Sequence, residues 1–188
     1  VGIAPHVDFV MLTRGCLRLW LKADHAAARS DFRRALEINP VFHLAHQFMA
    51  TSEILSGEQE AGLRRMQKVL DLGSSRNPRH PHYLALMALG HLLAGRDHEA
   101  AEISTEAHAR APGDPWCVYV HAAAAAHRDE IAASREFRQM IAATDLPFRH
   151  FRDLPFTDPA AVNLLEERLG GARYPAPAGP AAQHPGPD

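Results

Sequence analysis

One pattern recurs in the chain at an interval of 34 residues, and it constrains the fold more than any other feature. Residues 23–36 and 57–70 carry the same succession of small and large apolar side chains. The matching pairs are Ala28 with Gly62, Phe32 with Met66, Ala35 with Val69, and Leu36 with Leu70. A fixed interval of this length predicts an array of short units that bury their apolar faces on one another.

Two further units follow these two. The third begins at Gly95, which lies 38 residues after the second because the segment from Gly73 to Pro81 holds four extra residues. The fourth is less regular, since Ala133, Phe137 and Met140 lie one residue out of register. The array is therefore predicted to hold about four units.

Each unit predicts a pair of amphipathic helices, so the predicted fold class is all-α. The predicted pairs cover 9–22 and 25–38, 42–56 and 58–72, 81–94 and 97–110, and 115–127 and 130–143. Asp158 and Pro159 predict the start of a further helix, which Gly170 and Gly171 end. We expect this helix to cap the last unit.

The predicted organisation has four parts. A lead-in over 1–8 precedes a repeat array over 9–146, a linker and capping helix over 147–172, and a flexible tail over 173–188 that is rich in Pro, Ala and Gly. The four units of the array are predicted at about 9–40, 43–78, 81–112 and 114–146.

The first unit resembles the tetratricopeptide repeat family at seven marker places. These are Leu12, Gly15, Leu19, Ala28, Phe32, Ala35 and Pro40. The resemblance covers roughly residues 9–146 and implies a right-handed superhelix of helical hairpins that binds proteins through its concave surface. The chain departs from the family where each first helix has a tyrosine, because Leu19, Glu53, His91 and Ala125 stand there.

The segment from Leu154 to Pro159 makes this resemblance more specific. It is similar to the C-terminal end of the tetratricopeptide regions of bacterial class III adenylate cyclases and winged-helix transcriptional regulators. In those families the repeats regulate or recruit, and another domain carries the activity. The resemblance therefore implies a regulatory or recruiting part of a larger, cytoplasmic bacterial signalling protein.

The family's concave surface is built from the first helix of each pair, and in this chain it is predicted to be an apolar groove. The predicted groove residues are Thr13, Leu17, Trp20, Leu21, Gln47, Thr51, Ile54, Leu55, Ala85, Leu89, Leu92, Leu93, Val118 and Ala122. An exposed groove of this kind favours a cover, because burying apolar surface contributes about 25 cal/mol per Å². Three occupants could provide the cover: an amphipathic helix of a protein partner, a second copy of the chain, and the chain's own capping helix. The hypothesis is a partner helix or a second copy, on a surface centred on Trp20, Leu55 and Leu92.

Other classes of function have little support in the sequence. His98, Glu99 and Glu102 come within one residue of a zinc-protease helix, but the second histidine is missing, so we expect no metal. Glycine-rich phosphate loops, catalytic triads and activated cysteines are also missing, which predicts a protein without cofactor or catalytic site. A net charge of -2 argues against nucleic acid, and no apolar run approaches the length of a membrane span. The 13 histidines leave one alternative, a regulatory domain that senses a ligand or pH.

Overall fold

The structure, a computed structural model, describes residues 6–126 and 154–169 and shows only α-helices, turns and irregular segments there. The eight helices of these ranges are α1 Val7–Lys22, α2 His25–Ile38, α3 His43–Leu55, α4 Gln59–Leu72, α5 His80–Leu93, α6 Asp97–Arg110, α7 Pro115–Ala125 and α8 Pro159–Arg168. The predicted all-α class is confirmed. The predicted helix over 130–143 and most of the predicted tail and linker lie outside the described residues.

Local capping explains where several helices begin. The carboxylates of Asp24, Asp114 and Asp158 each accept a hydrogen bond from a backbone N–H in the first turn of α2, α7 and α8, respectively. These bonds satisfy amide groups that have no partner inside the helix. The observed helix ends lie within two residues of the predicted ones.

The turns that join the two helices of a pair share one backbone conformation. Ala23, Gly57 and Gly95 all have a positive φ, and they are separated by the same 34 and 38 residues as the units of the sequence. Glycine adopts this conformation without a clash of its side chain, whereas alanine at the first position adopts it at a cost. The repeat register is therefore present in the backbone as well as in the sequence.

Close packing within each pair depends on small side chains. A Cβ atom added to Gly15 on α1 would lie 2.4 Å from Cε1 of Phe32, and one added to Gly62 on α4 would lie 2.5 Å from Cγ1 of Ile54. Ala28 and Phe32 on α2 are fully buried beside this contact. The small and large positions that the sequence placed at helix crossings therefore lie in the core.

The helices pack in chain order, most extensively within the pairs α1–α2, α3–α4 and α5–α6. The odd-numbered helices also lie beside one another, because α1 contacts α3, α3 contacts α5, and α5 contacts α7. The buried carboxylate of Glu53 in α3 accepts hydrogen bonds from Nε and Nη2 of Arg65 on α4. The handedness of the stack, and with it the tetratricopeptide assignment, stays a prediction.

The buried side chains form two clusters. The smaller one surrounds Phe32 and involves α1, α2 and α3. The larger one extends from α3 to α7 and includes Leu165 and Leu169 of the C-terminal segment. The C-terminal helix α8 was expected to cap the last unit. It packs against α7, and the segment around it also contacts Leu55 at the end of α3 and Asp97 at the start of α6.

Candidate partner-binding surface

The predicted groove residues of α1 lie on an exposed face of that helix. Leu17, Trp20 and Leu21 are 54%, 41% and 76% exposed, and Thr13 is exposed as well. Phe9 and Val10, which the sequence analysis did not include, extend the same face towards the start of the helix. We call these six residues the α1 stripe.

The α1 stripe has the dimensions of a helix-binding surface. At 3.6 residues per turn, its six side chains fall within about 120° of the helix circumference. From its first to its last residue it is about 18 Å long, at 1.5 Å per residue. An amphipathic helix of three to four turns would match this length and width.

A cluster of ion pairs lies along one border of the α1 stripe. Arg14 and Arg18 both contact the buried carboxylate of Asp31 on α2, at 2.5 Å and 2.9 Å. A hydrogen bond and the charge of Asp31 raise the pKa of Arg14. The two guanidinium groups are thus oriented towards α2, and the stripe beside them stays apolar.

The equivalent positions in α3, α5 and α7 are in a different environment. The residues that the sequence placed in the groove and that are buried in the structure are Gln47, Thr51, Ile54, Leu55, Ala85, Leu89, Leu92, Val118 and Ala122. Leu93 is partly buried. Within the described residues, the open apolar groove that the sequence predicted is therefore found along α1 but not along the rest of the array.

The chain's own segment 154–169 packs where these residues were expected to be open. Leu165 is fully buried and Leu169 nearly so, in one cluster with Leu55, Leu89 and other side chains of α3, α5 and α7. The backbone N–H of Thr157 donates a 3.0 Å hydrogen bond to the carbonyl of Leu55 at the end of α3. The hypothesis from the sequence was a partner helix or a second copy of the chain on this surface, whereas the chain's own C-terminal segment packs on part of it.

A histidine at the start of α2 holds the beginning of this segment. Nε2 of His25 lies 2.7 Å from the carbonyl oxygen of Pro155, and Nδ1 lies 3.0 Å from Oγ of Ser52. Because a carbonyl can only accept, Nε2 carries the proton in this contact. Arg29 donates to the same Ser52 oxygen, at 3.1 Å, which leaves the serine hydroxyl to donate to Nδ1 of His25.

An ion pair holds the end of the segment. Nη2 of Arg168 lies 2.9 Å and 3.0 Å from the two carboxylate oxygens of Asp97, at the start of α6. Both side chains are about four-fifths buried, at 20% and 19% exposure. Burial reduces the screening of this pair by water, so it stabilises the docked segment more than a surface pair would.

A cleft of about 190 Å³ remains between the docked segment and the array. Its lining includes Ile54, Leu55 and Leu93 on the array side and Ala160 and Ala161 on α8. The small alanine side chains leave this space unfilled, so the segment covers the surface without packing it completely.

The cysteine, serine and histidine side chains that the sequence raised as possible reactive groups are buried or paired with a neighbouring residue. Burial raises the pKa of Cys16 to about 11 and that of Cys117 to about 12, and both thiols are free. A thiol with so high a pKa is a poor nucleophile at neutral pH. Ser104 is buried and donates to the carbonyl of Ala101, and His98 pairs with Glu102 at the surface.

Two other kinds of site are absent from residues 6–126 and 154–169. No group of three or more His, Cys, Asp or Glu side chains lies close enough together to hold a metal ion. None of the helices there combines the length and apolarity that crossing a bilayer requires.

Three histidines have a pKa below the usual value, and burial is the main cause for each. They are His46, His82 and His91. The ring of His82 stacks on Trp116 at a centroid distance of 5.9 Å, and Asp114 partly opposes the lowering of its pKa. Lowered pKa values keep these rings neutral near pH 7.

Comparison with known proteins adds no family to this description. No model of a protein family matches the chain, and no curated protein matches it.

Proposed function

We propose that this chain is a non-catalytic protein-interaction scaffold of the tetratricopeptide type, which binds an amphipathic helix of a partner protein along the α1 stripe. The observation that carries the proposal is the exposure of Leu17, Trp20 and Leu21 at positions whose counterparts in α3 and α5 are mostly buried. A contiguous apolar face on a helix surface is typical of an interaction site.

The docked segment 154–169 supports the choice of a helix as the partner. It shows that the odd-numbered helices provide a surface on which an amphipathic helix packs with its apolar face inward. The α1 stripe has the same chemistry at equivalent positions of the repeat. In the larger signalling protein that we propose, the scaffold would recruit or regulate another component.

The alternative of pH sensing is less well supported. Burial lowers the pKa of His46, His82 and His91, so their charge changes at a pH below the usual value for histidine. A sensor that operates near neutral pH needs a group that titrates there. The lowered values favour a structural role.

Selection of helices from a display library tests the scaffold proposal. A library of amphipathic 14-residue helices would be selected on the full chain and then measured against the variant Leu17→Glu with Leu21→Glu. We expect the selected helices to bind this variant at least about tenfold more weakly, because each lost leucine contact contributes about 1.5–3 kcal/mol. Leu72→Glu, which alters an exposed leucine at the end of α4, is the matched control and should leave affinity unchanged.

Two outcomes would reject the partner helix. The first is equal binding of the selected helices to the wild-type chain and the α1 variant. The second is a stable dimer in analytical ultracentrifugation that the two α1 substitutions dissociate, because a second copy of the chain would then occupy the stripe.

A further inference from the structure

We propose that the surface beneath residues 154–169 is a second helix-docking site, from which a partner helix displaces α8. The partner would carry a basic side chain for Asp97 and a larger apolar side chain where α8 has Ala161. This inference goes beyond the α1 stripe, because it concerns a different part of the array and uses none of the same contact residues.

Some contacts of the docked segment could be made by any helix that binds this surface, whereas one of them requires a particular side chain. Two of the polar anchors described above use backbone atoms of the segment, namely the carbonyl of Pro155 with His25 and the N–H of Thr157 with Leu55. Any extended stretch that leads into a helix can make these two contacts. The third anchor, Arg168 with Asp97, needs an arginine or lysine at one position.

Apolar spacing completes the description of the partner. Val162 and Leu165 of α8, together with Leu169 directly after its end, pack in or against the large buried cluster. They are separated by three and four residues, the spacing of one helix face. A partner helix would therefore present apolar residues at this spacing, with a basic residue immediately before the last of them.

The fit of α8 leaves room for a better occupant. The cleft of about 190 Å³ is lined by Ile54 and Leu55 on α3 and by Ala160 and Ala161 on α8, of which Ala160 is exposed and Ala161 half-buried. Among the described residues, Nη1 of Arg168 is buried without a hydrogen-bond partner. Unfilled space and an unsatisfied donor both weaken binding relative to a complementary helix.

The incomplete fit of α8 matters because a partner helix must compete for this surface with α8, which belongs to the same chain. A tethered segment has an effective concentration on the order of millimolar, so a partner with equal contacts and a lower concentration would rarely displace it. A helix that fills the cleft gains contacts that α8 lacks. The cleft is therefore the feature that allows exchange.

A labelled peptide with the sequence of residues 154–169 is the probe for this site, with fluorescence anisotropy as the readout. On the full chain carrying Arg168→Glu, we expect the peptide to bind at least about tenfold more tightly than on the wild-type chain, because the resident helix has lost its ion pair. A peptide carrying Ala161→Leu should bind about tenfold more tightly still, because leucine fills the cleft. A peptide carrying Arg168→Glu should bind poorly.

A reversed ion pair provides the second test. On the full chain carrying Asp97→Arg, the preference should invert, so that the Arg168→Glu peptide binds better than the wild-type peptide. Circular dichroism verifies that each variant folds. If Arg168→Glu does not fold, the full chain carrying Ala161→Leu decides instead: it should melt at a higher temperature than the wild-type chain and bind the wild-type peptide more weakly.

The proposal is overturned if the peptide binds the wild-type and Arg168→Glu chains equally, or if Ala161→Leu in the peptide brings no gain. Leu17→Glu with Leu21→Glu must leave peptide affinity unchanged. A loss of affinity there would mean that the peptide binds the α1 stripe, which would reject this second site and leave the scaffold proposal standing.

Discussion

Helices α1 and α5 occupy the same place in their repeats but have opposite environments. Leu17 on α1 and Leu89 on α5 are equivalent in register, yet Leu17 is 54% exposed and Leu89 is fully buried. The same contrast separates Leu21 on α1 from Leu55 on α3. The register of a repeat decides which way a side chain points, and the elements packed beside each helix decide whether it is covered. Helix α5 lies between α3 and α7, and Leu89 shares a buried cluster with Leu165 of segment 154–169.

This difference divides the predicted groove into two kinds of surface. The α1 stripe is open, whereas the surface formed by α3, α5 and α7 is buried in a cluster with the segment 154–169. If the burial of a side chain, and not its position in the repeat, determines its contribution to stability, equivalent substitutions in the two regions will change the free energy of unfolding by different amounts.

The largest expected effect comes from truncating equivalent leucines. Leu89→Ala should lower the free energy of unfolding by about 2–5 kcal/mol, because it leaves a cavity in the core. Leu17→Ala should change it by less than about 0.5 kcal/mol, because that side chain is mostly exposed. Urea denaturation of both variants measures the difference, and equal losses would show that the α1 stripe is buried in solution.

A smaller effect is expected from breaking the ion pair that holds the segment 154–169 on the array. Asp97→Asn removes the charge that holds Arg168 and should lower the free energy of unfolding by about 1–2 kcal/mol, after allowance for partial exposure. Glu37→Gln breaks the exposed pair with Arg34 and is the matched control, for which we expect less than about 0.5 kcal/mol. If both variants lose the same small amount, the Asp97 pair does not hold the segment.

Acidification should distinguish the two regions through His82, which is equivalent in register to the exposed Val10. Burial lowers the pKa of His82, so the unfolded chain binds a proton at this residue more readily than the folded chain. Its contribution to stability is therefore present above a pH of about 6.5 and is lost as the pH falls below that value. His82→Phe keeps a ring against Trp116 and should reduce the fall in melting temperature between about pH 6.5 and pH 5. An unchanged slope would exclude His82 as a cause.

The smallest effect is a gain at the turn between α1 and α2. Ala23 has a φ of 50°, whereas Gly57 and Gly95 occupy the equivalent turns. Ala23→Gly should raise the free energy of unfolding by about 0.5–1 kcal/mol, because relief of the left-handed strain exceeds the entropy that glycine adds to the unfolded chain. Ala26→Gly within α2 is the control and should lower it by about 0.5–1 kcal/mol. If both variants lowered the free energy of unfolding, the backbone of Ala23 would not be strained.

Local features of this fold were accessible from the sequence because they depend on neighbouring residues. Helix ends followed from capping aspartates and prolines, and the turn at Gly57 followed from the repeat interval. The sequence named the capping helix as one possible cover of the groove but did not decide for it, because the contact between Leu55 and Thr157 joins residues about a hundred positions apart. His25 gave no signal either, since one histidine at a helix start does not reveal a carbonyl partner in a distant segment.

The bond between His25 and Pro155 joins residues 130 positions apart, in a molecule whose helices otherwise pack mainly on their neighbours in the chain. Contacts between neighbours form early, and closing a long loop has an entropic cost that delays distant contacts. Because synthesis runs from the N-terminus, α1 to α7 are made before the segment 154–169. Until that segment docks, newly made chains expose an uncovered apolar surface to chaperones.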